Sequence, residues 1–133
     1  MTSLNSTSKA LLWTGRIVQW LLIALLLFDA AGKVLKLDAV MKGTVQAGFP
    51  ANSVLPIGLS LLVGVILYAI PRTAVLGAIL LTGYLGGAVA TNVHQRFGLG
   101  FILFPAIIGA LAWGAIYLQD ARLREMIPLR RYE

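Results

Sequence analysis

Four long apolar runs, residues 11–37, 54–70, 74–93 and 101–118, fill most of this 133-residue chain and decide the solvent in which it folds. Each is at or near the length of about 20 helical residues that crosses a hydrocarbon layer ~30 Å thick. Charged residues make up 12% of the chain and apolar ones 59%, whereas a soluble domain carries roughly 25% charged residues. A soluble fold this short has too little polar side chain to cover so much apolar surface. The runs are continuous, so they lack the alternation of transmembrane barrel strands. The expectation is an all-α, integral membrane four-helix bundle. Residues 1–133 then form a single transmembrane domain whose first partner is membrane lipid.

The connections refine that picture. Residues 37–47 predict a short interfacial helix between the first and second spans, because Val40, Met41 and Val45 alternate with Asp38, Lys42 and Gln46. Gly48-Phe49-Pro50 ends it, since Gly permits the reversal and Pro cannot continue a helix. Asn52 or Ser53 is a suitable cap for the second span, with Pro56 in its first turn. The step at Ile70-Pro71-Arg72 is so short that spans two and three must form an antiparallel hairpin. Pro105 is expected in the first turn of the fourth span, where a missing N–H costs nothing.

An even number of spans places both tails, residues 1–10 and 119–133, on one side together with Arg72. That side carries seven cationic residues (Lys9, Arg16, Arg72, Arg122, Arg124, Arg130, Arg131), against four (Lys33, Lys36, Lys42, Arg96) on the other. This bias favours cytoplasmic tails. The +6 net charge then reads as anchoring to anionic headgroups rather than as a nucleic-acid surface. The first run continues past Ala30-Ala31-Gly32 through Val34, Leu35 and Leu37, so it reads as a retained span and not a cleaved signal.

The chain has no cysteine and a single histidine, His94. Thiol chemistry, Cys-ligated zinc, iron–sulfur clusters and a bis-histidine haem within one chain are therefore excluded, and no metal site is expected. Asp29 draws attention instead. It lies 13 positions beyond Arg16, about 20 Å along the helix, where a carboxylate costs a few kcal/mol unless paired, protonated or hydrated. Lys33 follows at the (i, i+4) spacing of an ion pair. Two readings stay open: a neutralising pair, or a ligand-binding and proton-handling site. Tyr84, Thr91, Asn92 and Gln95 form one stripe near the same membrane face, with His94 beside it. The candidate ligand-binding set is thus Asp29, Lys33, Tyr84, Thr91, Asn92 and His94. Small residues at Gly83 and Gly87, and at Ala106, Ala110 and Gly114, predict close helix packing, either within the chain or between copies.

The run Gly83-Tyr84-Leu85-Gly86-Gly87-Ala88-Val89-Ala90-Thr91-Asn92 resembles the third-helix signature of DoxX-like membrane proteins. Leu103-Phe104-Pro105, Trp113-Gly114, Asp120-Ala121-Arg122-Leu123-Arg124 and Ile127-Pro128-Leu129-Arg130 resemble the family too, as do Gly32-Lys33-Val34-Leu35-Lys36 and Ala47-Gly48-Phe49-Pro50. The resemblance implies a four-helix protein of the bacterial inner membrane. It also implies a link to quinone, because the family name derives from a subunit of a thiosulfate:quinone oxidoreductase.

Four functions remain in play. The first is a redox-associated accessory subunit that binds a lipophilic small molecule such as quinone, with Asp29 orienting it or exchanging a proton and with Asn92 and His94 bonding a carbonyl. The second is a non-catalytic interaction or assembly protein that docks a partner membrane subunit or another copy. The others are an isomerase or hydrolase of an apolar substrate with Asp29 as general base, and a transporter. The residues leave open whether the chain is catalytic, because no second catalytic partner is placed beside Asp29.

Overall fold

The structure, a computed structural model, describes residues 9–126. Residues 1–8 and 127–133, including Arg130 and Arg131 of the expected anchor and the Ile127-Pro128-Leu129-Arg130 segment, lie outside the described residues. The helices are α1 (Lys9–Val34), α2 (Asp38–Gln46), α3 (Val54–Ala69), α4 (Ala74–His94), α5 (Leu99–Gln119) and α6 (Ala121–Met126). Of these, α1, α3, α4 and α5 are long and apolar enough to span a membrane. Helices suit that solvent because they satisfy their own backbone groups where no water can. The short helix expected between the first two spans is α2.

The four spans form a ring. α1 packs on α3 and α5, and α4 packs on the same two. Among the described residues the diagonal pairs, α1 with α4 and α3 with α5, have no Cα atoms within 8 Å of each other. The Pro71–Thr73 turn closes α3 and α4 into the expected hairpin. The molecule thus has a hairpin end, which also holds the start of α1 and α6, and an opposite end roofed by α2.

Packing is tightest at the hairpin end. Tyr68 is fully buried, and its hydroxyl donates to the Ala112 carbonyl at 2.7 Å. Gln119 Nε2 donates to Gln19 Oε1 at 2.8 Å, and Gln19 Nε2 donates to the Tyr68 carbonyl at 3.0 Å. Such interhelical hydrogen bonds hold helices together where lipid removes the hydrophobic drive. Backbones also approach closely: a Cβ on Gly77 would lie 2.2 Å from the Tyr68 nitrogen, and one on Gly15 would lie 2.6 Å from the Ala115 carbonyl oxygen. α6 folds back so that Arg124 Nη1 donates to the carbonyls of Tyr117 and Leu118, which lie in the last turn of α5.

The small residues singled out by spacing are placed differently. A Cβ on Gly83, Gly87 or Gly114 would meet nothing within 4 Å, and Ala106 and Ala110 are exposed. The helical glycines most closely approached by a neighbouring helix are instead Gly15, Gly58 and Gly77.

Two seams consequently open toward α2. α3 and α4 touch at Gly77 and again where a Cβ on Gly64 would lie 3.1 Å from Leu81 Cδ2, but they have parted by Gly83 and Gly87. α1 and α5 meet at Gly15 and flank a cavity from Leu25 to Lys33.

Helix ends explain the boundaries. α1, α2 and α4 all finish at the α2 end in the same reversed turn. The amide of Leu37 donates to Gly32, that of Phe49 to Thr44, and that of Phe97 to Asn92, at 3.1, 3.2 and 3.0 Å. Each turn needs a left-handed residue; these are Lys36 (φ 55°), Gly48 (φ 94°) and Arg96 (φ 58°). Lys36 in that conformation stops α1 at Val34, three residues short of the apolar run. Ser53 makes no side-chain capping bond; a 3-10 turn over Ala51–Ser53 starts α3 instead. α5 begins at Leu99, two residues earlier than expected, so Pro105 lies inside the helix rather than in its first turn.

Candidate functional site

The displaced proline shapes the site. Pro105 has no N–H, so the carbonyl four residues earlier, that of Phe101, lacks its helical donor. Asn92 supplies one: its Nδ2 donates to the Phe101 oxygen at 2.5 Å. The bond ties the end of α4 to the start of α5 and fixes the Asn92 amide, leaving Oδ1 free to accept. Asn92 was legible as part of a polar stripe, but this structural duty was not.

Asp29 and Lys33 form the ion pair that their spacing predicts, Nζ to Oδ1, at 2.5 Å. The Lys33 stem is confined by α3, where a Cβ on Gly58 would lie 2.7 Å from Lys33 Cβ. The side chain of Lys33 is 15% exposed and that of Asp29 44%. The Lys33 ammonium also lies within electrostatic reach of the Tyr84 hydroxyl, which relates α1 to α4 across a diagonal where no Cα atoms come within 8 Å.

Two cavities meet at these groups. The larger, about 970 Å³, lies between α1 and α5 and is walled by Phe28, Leu85, Phe101, Phe104 and Ile108 among others. The smaller, about 510 Å³, lies beneath α2, between Thr44 and Phe49 above, Ile57 on α3, and Gly83, Gly87 and Thr91 on α4. They share six residues: Asp29, Lys33, Val40, Tyr84, Ala88 and Asn92. A polar wall of four side chains therefore stands between an apolar slot and a second chamber.

Five of the six expected ligand-binding residues line one or both cavities; Thr91 faces only the smaller. His94 is exposed and lines neither. Gln95, at the end of the same stripe, instead packs on Gly48, so that a Cβ there would lie 2.5 Å from Gln95 Nε2. Sequence reasoning missed Phe101 and Phe104, whose apolar character is the same whether they face lipid or a cavity. It also missed Ala88, four residues beyond Tyr84 and therefore on its face.

The chemistry of the wall is mixed. Lys33 has three N–H donors, of which Asp29 takes one; the second Asp29 oxygen and Asn92 Oδ1 accept, and Tyr84 can do both. A head group that both donates and accepts matches such a wall, while its tail occupies the apolar slot. Comparison with curated proteins and with solved structures gives no match. The family model described as DoxX-like matches residues 17–115. That span holds every residue of the polar wall and reaches from α1 to α5, and the chain accordingly belongs to the DoxX-like family.

Proposed function

We propose that this protein is a bacterial inner-membrane receptor for a lipophilic small molecule with a hydrogen-bonding head, such as a quinone. In this reading it serves as a redox-associated accessory subunit that holds the molecule for a partner. The observation that carries the reading is the wall of Asp29, Lys33, Tyr84 and Asn92 at the side of a 970 Å³ apolar cavity. Apolar walls with a few convergent polar groups are the usual make-up of a small-molecule site, and the volume is at the upper end of the ordinary range. The 7:4 distribution of cationic residues supports cytoplasmic tails.

The test is native mass spectrometry and solvent extraction of gently solubilised protein, wild type beside Ala88→Phe. Ala88 borders both cavities, and a phenyl ring there fills space without altering a polar group. A defined lipophile should accompany the wild type and be lost from the variant. A ligand-free wild type, or equal retention by both, overturns the reading.

The outward placement of Ala106 and Ala110 on α5 favours a second reading, in which the chain assembles with another membrane helix. Ala110→Leu should then lower cross-linking yield in membranes while leaving the lipophile bound.

A further inference from the structure

The smaller cavity lies outside the apolar slot proposed for the lipophile, yet it touches the same wall. We infer that it is the aqueous half of the site: a water-filled vestibule beneath α2 that admits small, polar, water-soluble solutes to Asp29 and Lys33. The inference rests on the proposed wall but not on the presence of a lipophile.

Asp29 is 44% exposed and commits one oxygen to Lys33. The exposed part of a carboxylate facing hydrocarbon costs several kcal/mol. One of the two spaces that it faces must therefore contain water.

The two chambers contrast. The larger is rimmed by Phe28, Phe101 and Phe104, which are 80%, 67% and 58% exposed, a surface suited to lipid. The smaller adds Thr44 and Thr91 to the shared wall, beside the apolar Ala47, Phe49 and Ile57, and is roofed by a helix whose other side exposes Asp38 and Lys42. Of the two, the smaller suits water better.

The space is also held open. No heavy atom lies within 4 Å of a Cβ built on Gly43, Gly83 or Gly87, so α2 spans the chamber without filling it. The left-handed turns at Lys36 and Gly48 pin both ends of that roof. Because Asp29 and Lys33 cancel in charge, the vestibule should favour neither anions nor cations and should suit neutral or zwitterionic solutes best.

The absence of cysteine makes the test direct. Gly87→Cys and Thr91→Cys place a thiol in the vestibule, and at Gly87 the added atoms meet open space. Phe104→Cys places one at the lipid-facing rim of the larger chamber. Each variant, in permeabilised phosphatidylethanolamine–phosphatidylglycerol vesicles, is treated with an anionic or a cationic methanethiosulfonate, or with a membrane-soluble maleimide. A thiol reacts as thiolate, which forms in water and not in hydrocarbon, so the charged reagents should modify both vestibule variants about tenfold or more faster than Phe104→Cys. The two charged reagents should differ by less than about threefold at Thr91→Cys, and adding Asp29→Asn should shift the ratio toward the anionic one. Modification of Gly87→Cys and Thr91→Cys by the maleimide alone overturns the inference. A wild-type wall that prefers one sign of reagent by more than about tenfold overturns the neutral-solute assignment. Neither result depends on whether a lipophile co-purifies, so the failure of one reading is distinguishable from the failure of the other.

Discussion

Asn92 and Pro105 behave as one unit, although 13 positions separate them. The proline strands a carbonyl and the asparagine takes it up. Asn92→Ala alone should therefore cost about 1 kcal/mol or more, because the Phe101 oxygen loses its donor. In a Pro105→Ala background the helix regains its own N–H, and the same change should cost about 1 kcal/mol less; denaturation midpoints of the four proteins measure that coupling. The ion pair gives a second cycle. Asp29→Asn leaves Lys33, which is 15% exposed, without its counter-charge, whereas Lys33→Met leaves the more exposed Asp29 able to hydrate. Asp29→Asn should thus be the more destabilising single change, and the double variant should recover about 1 kcal/mol or more, read as thermal midpoints in detergent. The pair was legible from its (i, i+4) spacing. The duty of Asn92 was not, because it depends on how the end of α4 is set against the start of α5, which no local spacing records.

At the scale of the helices, spacing showed which residues are small but not which face meets a neighbour. Gly83 and Gly87 have the familiar association pattern and border a cavity, while Gly77, six residues before Gly83, admits the Tyr68 backbone. Gly77→Ala should therefore destabilise by more than about 3 kcal/mol or prevent folding, since the obstructing atoms are backbone and cannot turn aside. Gly83→Ala should be neutral or stabilising by up to about 1 kcal/mol through helix propensity alone. Thermal unfolding of the two variants side by side separates packing from pattern. The reversed turns supply another contrast. Arg96 occupies a conformation that costs a side-chain-bearing residue about 1–2 kcal/mol, so Arg96→Gly should raise the midpoint. The apolar runs located the spans to within a few residues, and the alternation around Val40 and Lys42 located α2. The exact stops, set by Lys36 and Arg96, were hidden because neither residue type favours such a turn.

For the whole molecule, the thickness of hydrocarbon fixed the number of spans, and hydropathy alone was enough to read the architecture. The chambers were not readable in that way. They arise because two seams, α1 with α5 and α3 with α4, are clamped at the hairpin end and open toward α2, an arrangement that no local pattern records. The divergence makes the bundle a pair of tongs. From the clamp at Gly77 to the tip of α4 at His94 is 17 residues, about 25 Å of rigid helix. A few tenths of an ångström at the fulcrum becomes a larger displacement at the jaws. Gly64 sits near that fulcrum, where an added methyl would press on Leu81 Cδ2, the movable end of a side chain, at 3.1 Å. On the proposed function, the width of the chambers should thus respond to substitution at a buried glycine that lines neither of them.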